Sequence, residues 1–193
     1  MTPCQIEKAQ ELARECVKKN YKFEQSTLDQ GFLMTNPEQK IYELGLSLPQ
    51  PIELPPGLTL PFNFINVRGN RVLISGHPRQ AADGTFDGPY GQVGKELTVG
   101  EAQDAAGGIA LSVLSNLKST IGDLSRVTGW VRVFGMVNSA PGFDEQHLVI
   151  NGFSDLIIKI FGSEVGRHSR SAIGVAGLPM NFALEIEGEL LID

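Results

Sequence analysis

Long hydrophobic runs are missing from this sequence. The two most apolar stretches, residues 109–117 and 156–161, are short and interrupted, whereas a membrane-spanning helix needs about 18 apolar residues. The chain does not open with a basic segment and an apolar core, so a secretory signal does not fit. With 41% hydrophobic and 20% charged residues among 193, the sequence predicts a globular protein with one main domain and no membrane span.

Cysteine is also scarce. The two cysteines, Cys4 and Cys16, are twelve positions apart on a predicted helix, which separates them by about 18 Å along its axis. Residues at that separation cannot form a disulfide bond with each other. Because the sequence has neither a disulfide framework nor a Cys/His cluster, we expect a protein of a reducing compartment, the cytoplasm.

Positive charge is not in excess. The chain carries 16 Lys and Arg against 22 Asp and Glu, a formal net charge of −6. Residues 1–33 contain five basic and five acidic side chains, so the whole net charge belongs to residues 34–193. An acidic domain repels a nucleic-acid backbone on average, which argues against general RNA binding.

Familiar catalytic and cofactor-binding motifs are absent. The sequence has no Walker phosphate loop, no G-x-G-x-x-G, no G-x-S-x-G and no H-E-x-x-H. Its three histidines, His77, His147 and His168, are too scattered to predict a metal site, and we interpret them as ordinary, partly exposed histidines. We therefore expect neither a metal nor an organic cofactor.

Three regions follow one another along the chain. Residues 1–33 predict an amphipathic helical extension. Residues 34–57 predict a short helix that starts at Asn36 and Pro37, followed by a proline-rich connector. Residues 58–193 are the predicted main domain.

The order of predicted strands and helices in the main domain indicates an α+β fold with a mixed sheet and two long helices packed on one face. In the last strand three apolar residues alternate with Glu185, Glu187 and Glu189, so one side is apolar and the other acidic. A loop over residues 80–94 leaves room for one more short strand. The predicted strands are 62–67, 71–75, 127–137, 171–176 and 182–192, and the helices run from about 98 to 122 and from about 144 to 161, with Gly162 as the last C-cap.

Two polar residues near the C-terminus suit the binding of a carboxylate. Arg170 stands at the head of a predicted strand, where an arginine can form two parallel hydrogen bonds to a carboxylate. Glu185, expected on the adjacent strand, can orient a water molecule beside it. Taken alone, these residues favour the simpler alternative of a surface ion pair and a solvated acidic face.

Four short motifs occur in order along the main domain. They are G-N-R-V-L-I-S-G from residue 69, V-I-N-G from 149, R-S-A-I-G-V-A-G-L-P from 170 and L-E-I-E from 184. Together they resemble the YjgF/Rid family, the reactive-intermediate imine deaminases that have also been called endoribonuclease L-PSP proteins. The resemblance spans about residues 60–192 and points to a divergent branch, while the first 50 or so residues fall outside it.

The resemblance implies a chorismate-mutase-like fold and a homotrimer with sites in the clefts between subunits. In the family's deaminases the arginine matching Arg170 holds the substrate carboxylate, and the glutamate matching Glu185 helps to place the attacking water. The other cleft residues that the resemblance implies are Phe62, Ser75, Gly76, Asn151 and Ala172.

Two of these positions depart from the family pattern. Phe62 stands where the deaminases commonly have Tyr, and Ala172 replaces the usual Cys, so a hydroxyl and a thiol are lost. His168 also stands where Pro or Ala is common. Because the arginine is kept, the expectation of carboxylate binding is stronger than that of the reaction.

Three functions therefore remain open. The first is hydrolytic deamination of small 2-imino acids to 2-oxo acids and ammonia. The second is a non-catalytic trimer that binds a small carboxylate metabolite or regulates a partner. The third is an endoribonuclease or translation inhibitor, which the acidic charge balance disfavours.

Overall fold

The computed structural model describes residues 36–54 and 57–193, which belong to one compact unit, residues 35–193. The predicted N-terminal helix and both cysteines lie outside the described residues. None of the described helices is both long and apolar enough to cross a bilayer.

The segment before the sheet begins with a short helix, α1 (Pro37–Glu43). The Asn36 side chain accepts hydrogen bonds from the N–H groups of Glu38 and Gln39 at 2.8 and 3.3 Å, as the Asn-Pro start signal predicts. The chain leaves the helix through Gly45, whose φ of +69° favours glycine.

The proline-rich connector is tied to a long helix, α2 (Val99–Ile121). The Ser115 hydroxyl donates to the Pro49 carbonyl at 2.6 Å, and the Ile52 N–H donates to Asn116 Oδ1 at 2.8 Å. Polar side chains of α2 thus form hydrogen bonds with backbone N–H and C=O groups of a segment that does not join the sheet.

Five strands form one mixed sheet in the order β1-β2-β5-β3-β4. Neighbouring strands are antiparallel except β3 and β4, which are parallel. Residues 80–94 contain isolated bridges and no further strand. The strands are β1 (Ile65–Arg68), β2 (Arg71–His77), β3 (Val127–Asn138), β4 (Ser169–Val175) and β5 (Leu184–Ile192).

The two long helices, α2 and α3 (Gln146–Gly166), pack against each other and against one face of the sheet, as predicted. The predicted capping box opens α2: the Thr98 hydroxyl accepts from the Glu101 N–H, and the Glu101 carboxylate accepts from the Thr98 N–H. The capping box therefore satisfies two N–H groups at the start of α2.

The end of α3 differs from the prediction. Gly162 (φ +77°) was expected to end the helix, but it bends it and another turn follows to Gly166. That turn packs back on the helix, because a side-chain carbon at Gly166 would lie 2.9 Å from the Ile158 Cα. A glycine with positive φ fits a kink as well as an end, so the local signal did not separate the two.

Alternating side chains give the sheet two different faces. Leu184, Ile186 and Leu190 of β5 are almost fully buried under the helices, while the glutamates between them lie on the other face. That other face, called the open face below, is not covered by any described element.

A β-bulge interrupts β2 beside β5. Ile74 pairs with Gly188 and His77 with Ile186, so Ser75 and Gly76 between them bulge from the ladder. His77 is completely buried, and its Nδ1–H donates to the Ser75 carbonyl at 2.6 Å. The expectation of a partly exposed His77 was wrong because the ring packs inside the fold and supports the bulge.

The two helices approach each other closely at Gly152 in α3. A side-chain carbon built there would collide with the carbonyl oxygen of Gln103 in α2. Gly107 in α2 is different, because a side-chain carbon there would meet its nearest neighbour, the Gly152 carbonyl oxygen, at 3.7 Å. Only the first of these two helical glycines is required by packing.

We expect Gly152→Ala to lower the free energy of unfolding by about 2 kcal/mol or more, because backbone atoms of both helices must move apart. The matched change Gly107→Ala removes a helical glycine without a clash and should be neutral or stabilising by up to about 1 kcal/mol. Urea unfolding followed by circular dichroism measures both values. Equal losses in the two variants would contradict the close helix contact.

The buried His77 makes stability depend on pH. Burial lowers its pKa from 6.5 to about 4, so between these values the unfolded chain binds a proton that the folded chain does not. The contribution of His77 is fully present above pH 6.5 and is lost as the pH falls towards 4, by about 3 kcal/mol at 1.36 kcal/mol per pKa unit. In His77→Asn, which keeps an amide donor for the Ser75 carbonyl, we expect this part of the pH dependence to disappear. Denaturant unfolding at pH 7.5, 5.5 and 4.5 tests this, and parallel curves for the two proteins would contradict it.

Candidate functional site

Arg170 lies in the edge strand β4 and points towards α3. Its Nη1 donates to Asn151 Oδ1 at 2.9 Å and to Ser154 Oγ at 3.1 Å. Its Nη2 donates to the main-chain carbonyl of His147 at 3.3 Å. The acceptors belong to residues spaced i, i+4 and i+7, which is one stripe of the helix, so the guanidinium is held along that stripe.

The guanidinium of Arg170 keeps spare donors. Three of its five N–H groups make the bonds above, and the Nε–H and one Nη2–H have no partner among residues 36–54 and 57–193. No carboxylate of these residues forms an ion pair with Arg170, so this part of the chain gives no support to the simpler interpretation as a surface ion pair. Two free donors on a planar group match the two oxygens of one carboxylate.

Ala172 lies on the same side of the sheet as Arg170. It pairs with Gly135 of β3. A side chain at Gly135 would collide with Ile150 of α3, so side chains at these two paired positions point towards the helices. The Ala172 methyl packs against the core. Because β4 is the edge strand, backbone groups on its outer side are not paired with another described strand.

Phe62, Ser75, Gly76 and Glu185 form a second group on the open face. The Ser75 hydroxyl donates to the main-chain carbonyl of Asn63 at 2.8 Å. A side-chain carbon at Gly76 would lie 2.9 Å from Glu185 Oε2, so glycine leaves space for this carboxylate. Phe62 and Ser75 line a groove of about 550 Å³, and half of the Phe62 surface is exposed.

Glu185 is partly buried and lacks a hydrogen-bond donor within the described part of the chain. Burial raises the pKa of its carboxyl group above the ordinary value for glutamate. A carboxyl group of this kind exchanges a proton closer to neutral pH than a solvated glutamate does.

Arg170 and Glu185 are not neighbours within one chain. Glu185 was expected on the strand adjacent to Arg170, but β3 lies between β4 and β5. Glu185 pairs with Met136 of β3. Met136 follows Gly135, and a side chain at Gly135 would point towards α3. Since consecutive strand residues point to opposite faces, Glu185 and Arg170 lie on opposite faces of the sheet.

Ser154 is the site residue that the sequence did not predict. It follows Asn151 by three positions, and residues at that spacing share a helix face, so the predicted role of Asn151 was the available signal. Within residues 36–54 and 57–193, no three His, Cys, Asp or Glu side chains come together as a metal-binding group.

Comparison with known proteins agrees with the motifs and the fold. Protein TCP17 of Trypanosoma cruzi is 42% identical over 139 residues, which is 70% of this chain and 85% of that protein. The crystal structure of Atu1372 from Agrobacterium tumefaciens, a protein with unknown function, is 36% identical with a TM-score of 0.71 and covers 81% of this chain and 94% of its own.

A second crystal structure has the same architecture. It comes from a Shewanella oneidensis protein described provisionally as an endoribonuclease, is 28% identical with a TM-score of 0.72, and covers 82% of this chain and all of its own. Residues 45–186 match the profile of a family described as YjgF/chorismate-mutase-like, with the same provisional endoribonuclease label. Since that match spans well over half of the sequence, the chain belongs to the YjgF/chorismate-mutase-like family.

Proposed function

We propose that this protein hydrolyses small 2-imino acids to 2-oxo acids and ammonia in clefts between the subunits of a homotrimer. The observation that carries the proposal is the Arg170 guanidinium, which α3 holds in place with two N–H groups left for a ligand. A 2-imino acid offers a carboxylate next to the carbon that water attacks. Binding the carboxylate therefore also places the reacting carbon.

Glu185 is the proposed water-orienting residue. Its raised pKa suits a carboxyl group that accepts a proton from the attacking water and passes it to the imine nitrogen, and that then transfers the hydroxyl proton of the intermediate to this nitrogen as ammonia leaves. Water adds to the C=N carbon, a carbinolamine forms, and the C–N bond then breaks to give the C=O of the 2-oxo acid. Ser75 and Gly76 shape the cleft beside Glu185, and Phe62 supplies an apolar wall.

The proposed site needs two copies of the chain. Arg170 and Glu185 lie on opposite faces of one sheet, so a cleft containing both takes Arg170 from one copy and Glu185 from another. The open face supports such an association, because Leu73, Val131 and Ile173 each expose 39–40% of their surface there. On the Arg170 side, Asn151 and the outer backbone of β4 at Ala172 complete the polar contacts.

A second candidate is a non-catalytic trimer that binds a small carboxylate metabolite. It is favoured by one specific observation: the Arg170 half of the site is fully arranged within one chain, while Glu185 belongs to the other face. Carboxylate binding without turnover requires only the Arg170 half of the site. In the Glu185 half, Phe62 supplies no hydroxyl group.

The proposed function makes a prediction for Arg170→Ala and Glu185→Gln. With 2-imino acids generated by an amino-acid oxidase and their decay followed by semicarbazide trapping, we expect the wild type to accelerate hydrolysis. Arg170→Ala removes two charge-assisted hydrogen bonds of ~1.5–3 kcal/mol each, so kcat/KM should fall about a hundredfold or more. Glu185→Gln should lower kcat while pyruvate, a 2-oxo product, still binds.

Arg167→Ala is the matched control for Arg170→Ala, because Arg167 is an exposed arginine three positions earlier. It should leave kcat/KM within about threefold of the wild type. Tight pyruvate binding without any acceleration would select the binding protein instead. Equal activity of wild type and Arg170→Ala would exclude the assignment of Arg170.

Another prediction concerns the shared cleft. Sedimentation should give a particle of about 63 kDa, three times the 20.9 kDa of one chain. Arg170→Ala and Glu185→Gln, each strongly impaired alone, should regain about a quarter of the wild-type activity when they are denatured together at equal amounts and refolded. A site taking each residue from a different subunit is intact by chance in about one case of four. If both residues came from the same subunit, the mixture would stay strongly impaired.

A further inference from the structure

The hydroxyl of Ser154 lies between Arg170 and His168. Ser154 Oγ is 3.1 Å from Arg170 Nη1 and 3.0 Å from His168 Nε2. On the far side of the ring, His168 Nδ1 is 2.8 Å from the Gly166 carbonyl oxygen. Ser154 exposes only 8% of its surface, so its hydroxyl is shielded from water, while His168 and Arg170 are half-buried.

For a neutral His168 ring, the distances assign the donor and the acceptor of each hydrogen bond in this series. A carbonyl oxygen can only accept, so His168 Nδ1 is the protonated nitrogen and Nε2 of the neutral ring is an acceptor. Ser154 therefore donates its hydroxyl hydrogen to Nε2, and its oxygen accepts from Arg170 Nη1. A continuous series of hydrogen bonds runs from the guanidinium through Ser154 and His168 to the Gly166 carbonyl.

The surroundings of His168 keep the ring neutral. Burial and, to a smaller extent, the nearby charge of Arg170 lower its pKa below the ordinary value, against the opposing effect of the Gly166 hydrogen bond. The aromatic ring of Trp130 from β3 packs beside it, with 6.3 Å between ring centroids, and brings no charge. The acceptor at Nε2 is therefore maintained at neutral pH.

We infer that Ser154 and His168 are positioning residues that hold the Arg170 guanidinium in its carboxylate-binding orientation before a ligand arrives. The inference rests on the proposed function of Arg170 and adds residues that touch no substrate. An arginine side chain has many rotamers, and fixing it on ligand binding opposes association. A side chain that is already fixed by Ser154 loses less freedom, so the carboxylate binds more tightly.

A purely structural role for the same hydrogen bonds makes a different prediction. If Ser154 and His168 only fastened the end of α3 to β4, their loss would lower stability and leave the affinity of the folded protein unchanged. A positioning role changes the affinity for a carboxylate even where the fold is intact. The dissociation constant of a ligand, measured on protein shown to be folded, separates the two.

The test uses the full chain and pyruvate as the probe, with binding measured by calorimetry at pH 7.5. Ser154→Ala and His168→Ala should each raise the Kd roughly tenfold, because the Ser154 hydroxyl is lost or no longer oriented and the guanidinium keeps only its bonds to Asn151 and the His147 carbonyl. His168→Gln places an amide oxygen close to the position of Nε2 and should keep the Kd within about threefold of the wild type. Unchanged Kd values in both alanine variants would overturn the inference.

NMR provides a readout that needs no ligand. Long-range ¹H–¹⁵N spectra should show His168 as the neutral Nδ1–H tautomer at pH 7, and the Arg170 Nη signals should be resolved in the wild type and averaged in Ser154→Ala. The Nε2–H tautomer, or equal rotation of the guanidinium in both proteins, would contradict the positioning role. If the wild type bound no pyruvate, the proposed function of Arg170 would fail, and the NMR result alone would decide the positioning role.

Discussion

Burial of only one face of the sheet determines where each candidate site residue lies. Two helices cover one side of five strands, and apolar side chains alternate with polar ones along β5, so each strand position is assigned to the helix side or to the open face. Arg170 falls on the helix side and Glu185 on the open face. The division of the proposed site between two subunits follows from this constraint, since one sheet cannot present both of its faces to the same cleft.

Close packing of α3 links the core to the Arg170 side of the site. Gly135 lets Ile150 approach the sheet, and Gly152 lets α3 approach α2, so the helix is fixed from two directions. The stripe of α3 that carries Asn151 and Ser154 is thereby set at hydrogen-bond distance from Arg170. Hydrogen bonds of about 3 Å weaken quickly when one partner moves, so the orientation of the guanidinium depends on the close packing of α3 against the sheet and α2.

Local signals in the sequence predicted local structure well. The Asn36–Pro37 start, the Thr98 capping box and the alternation of β5 each depend on residues only a few positions apart, and the structure confirms all three. Strand order and side-chain surroundings depend on distant parts of the chain. For that reason the sequence placed Glu185 beside Arg170, although β3 separates their strands.

The same limit explains what was missed around the site. The candidate carboxylate receptor, Arg170, could be proposed from the type of one residue, but its hydrogen bond to Ser154 could not, because it depends on β4 lying against this particular stripe of α3. The burial of His77 was missed because it depends on the rings and strands that surround it, with Phe64 only 5.3 Å away between ring centroids. Cleft residues such as Phe62 and Ala172 came from the family resemblance and not from physical pattern alone.

Two of the departures from the family pattern, Phe62 and Ala172, fall on different halves of the proposed site. Ala172 belongs to the Arg170 half, where its methyl group packs on the core and its backbone lies on the sheet edge, so the loss of a thiol leaves the hydrogen bonds of the proposed carboxylate receptor, Arg170, intact. Phe62 belongs to the Glu185 half, where a missing hydroxyl removes one polar group from the surroundings of the reacting water. This asymmetry favours the proposal that carboxylate binding is kept over the proposal that the positioning of the reacting water is kept. In the proposed cleft, the Phe62 ring forms an apolar wall that suits an apolar substrate side chain. Differences between this chain and deaminases of its family should therefore be found in turnover and side-chain preference before they are found in carboxylate affinity.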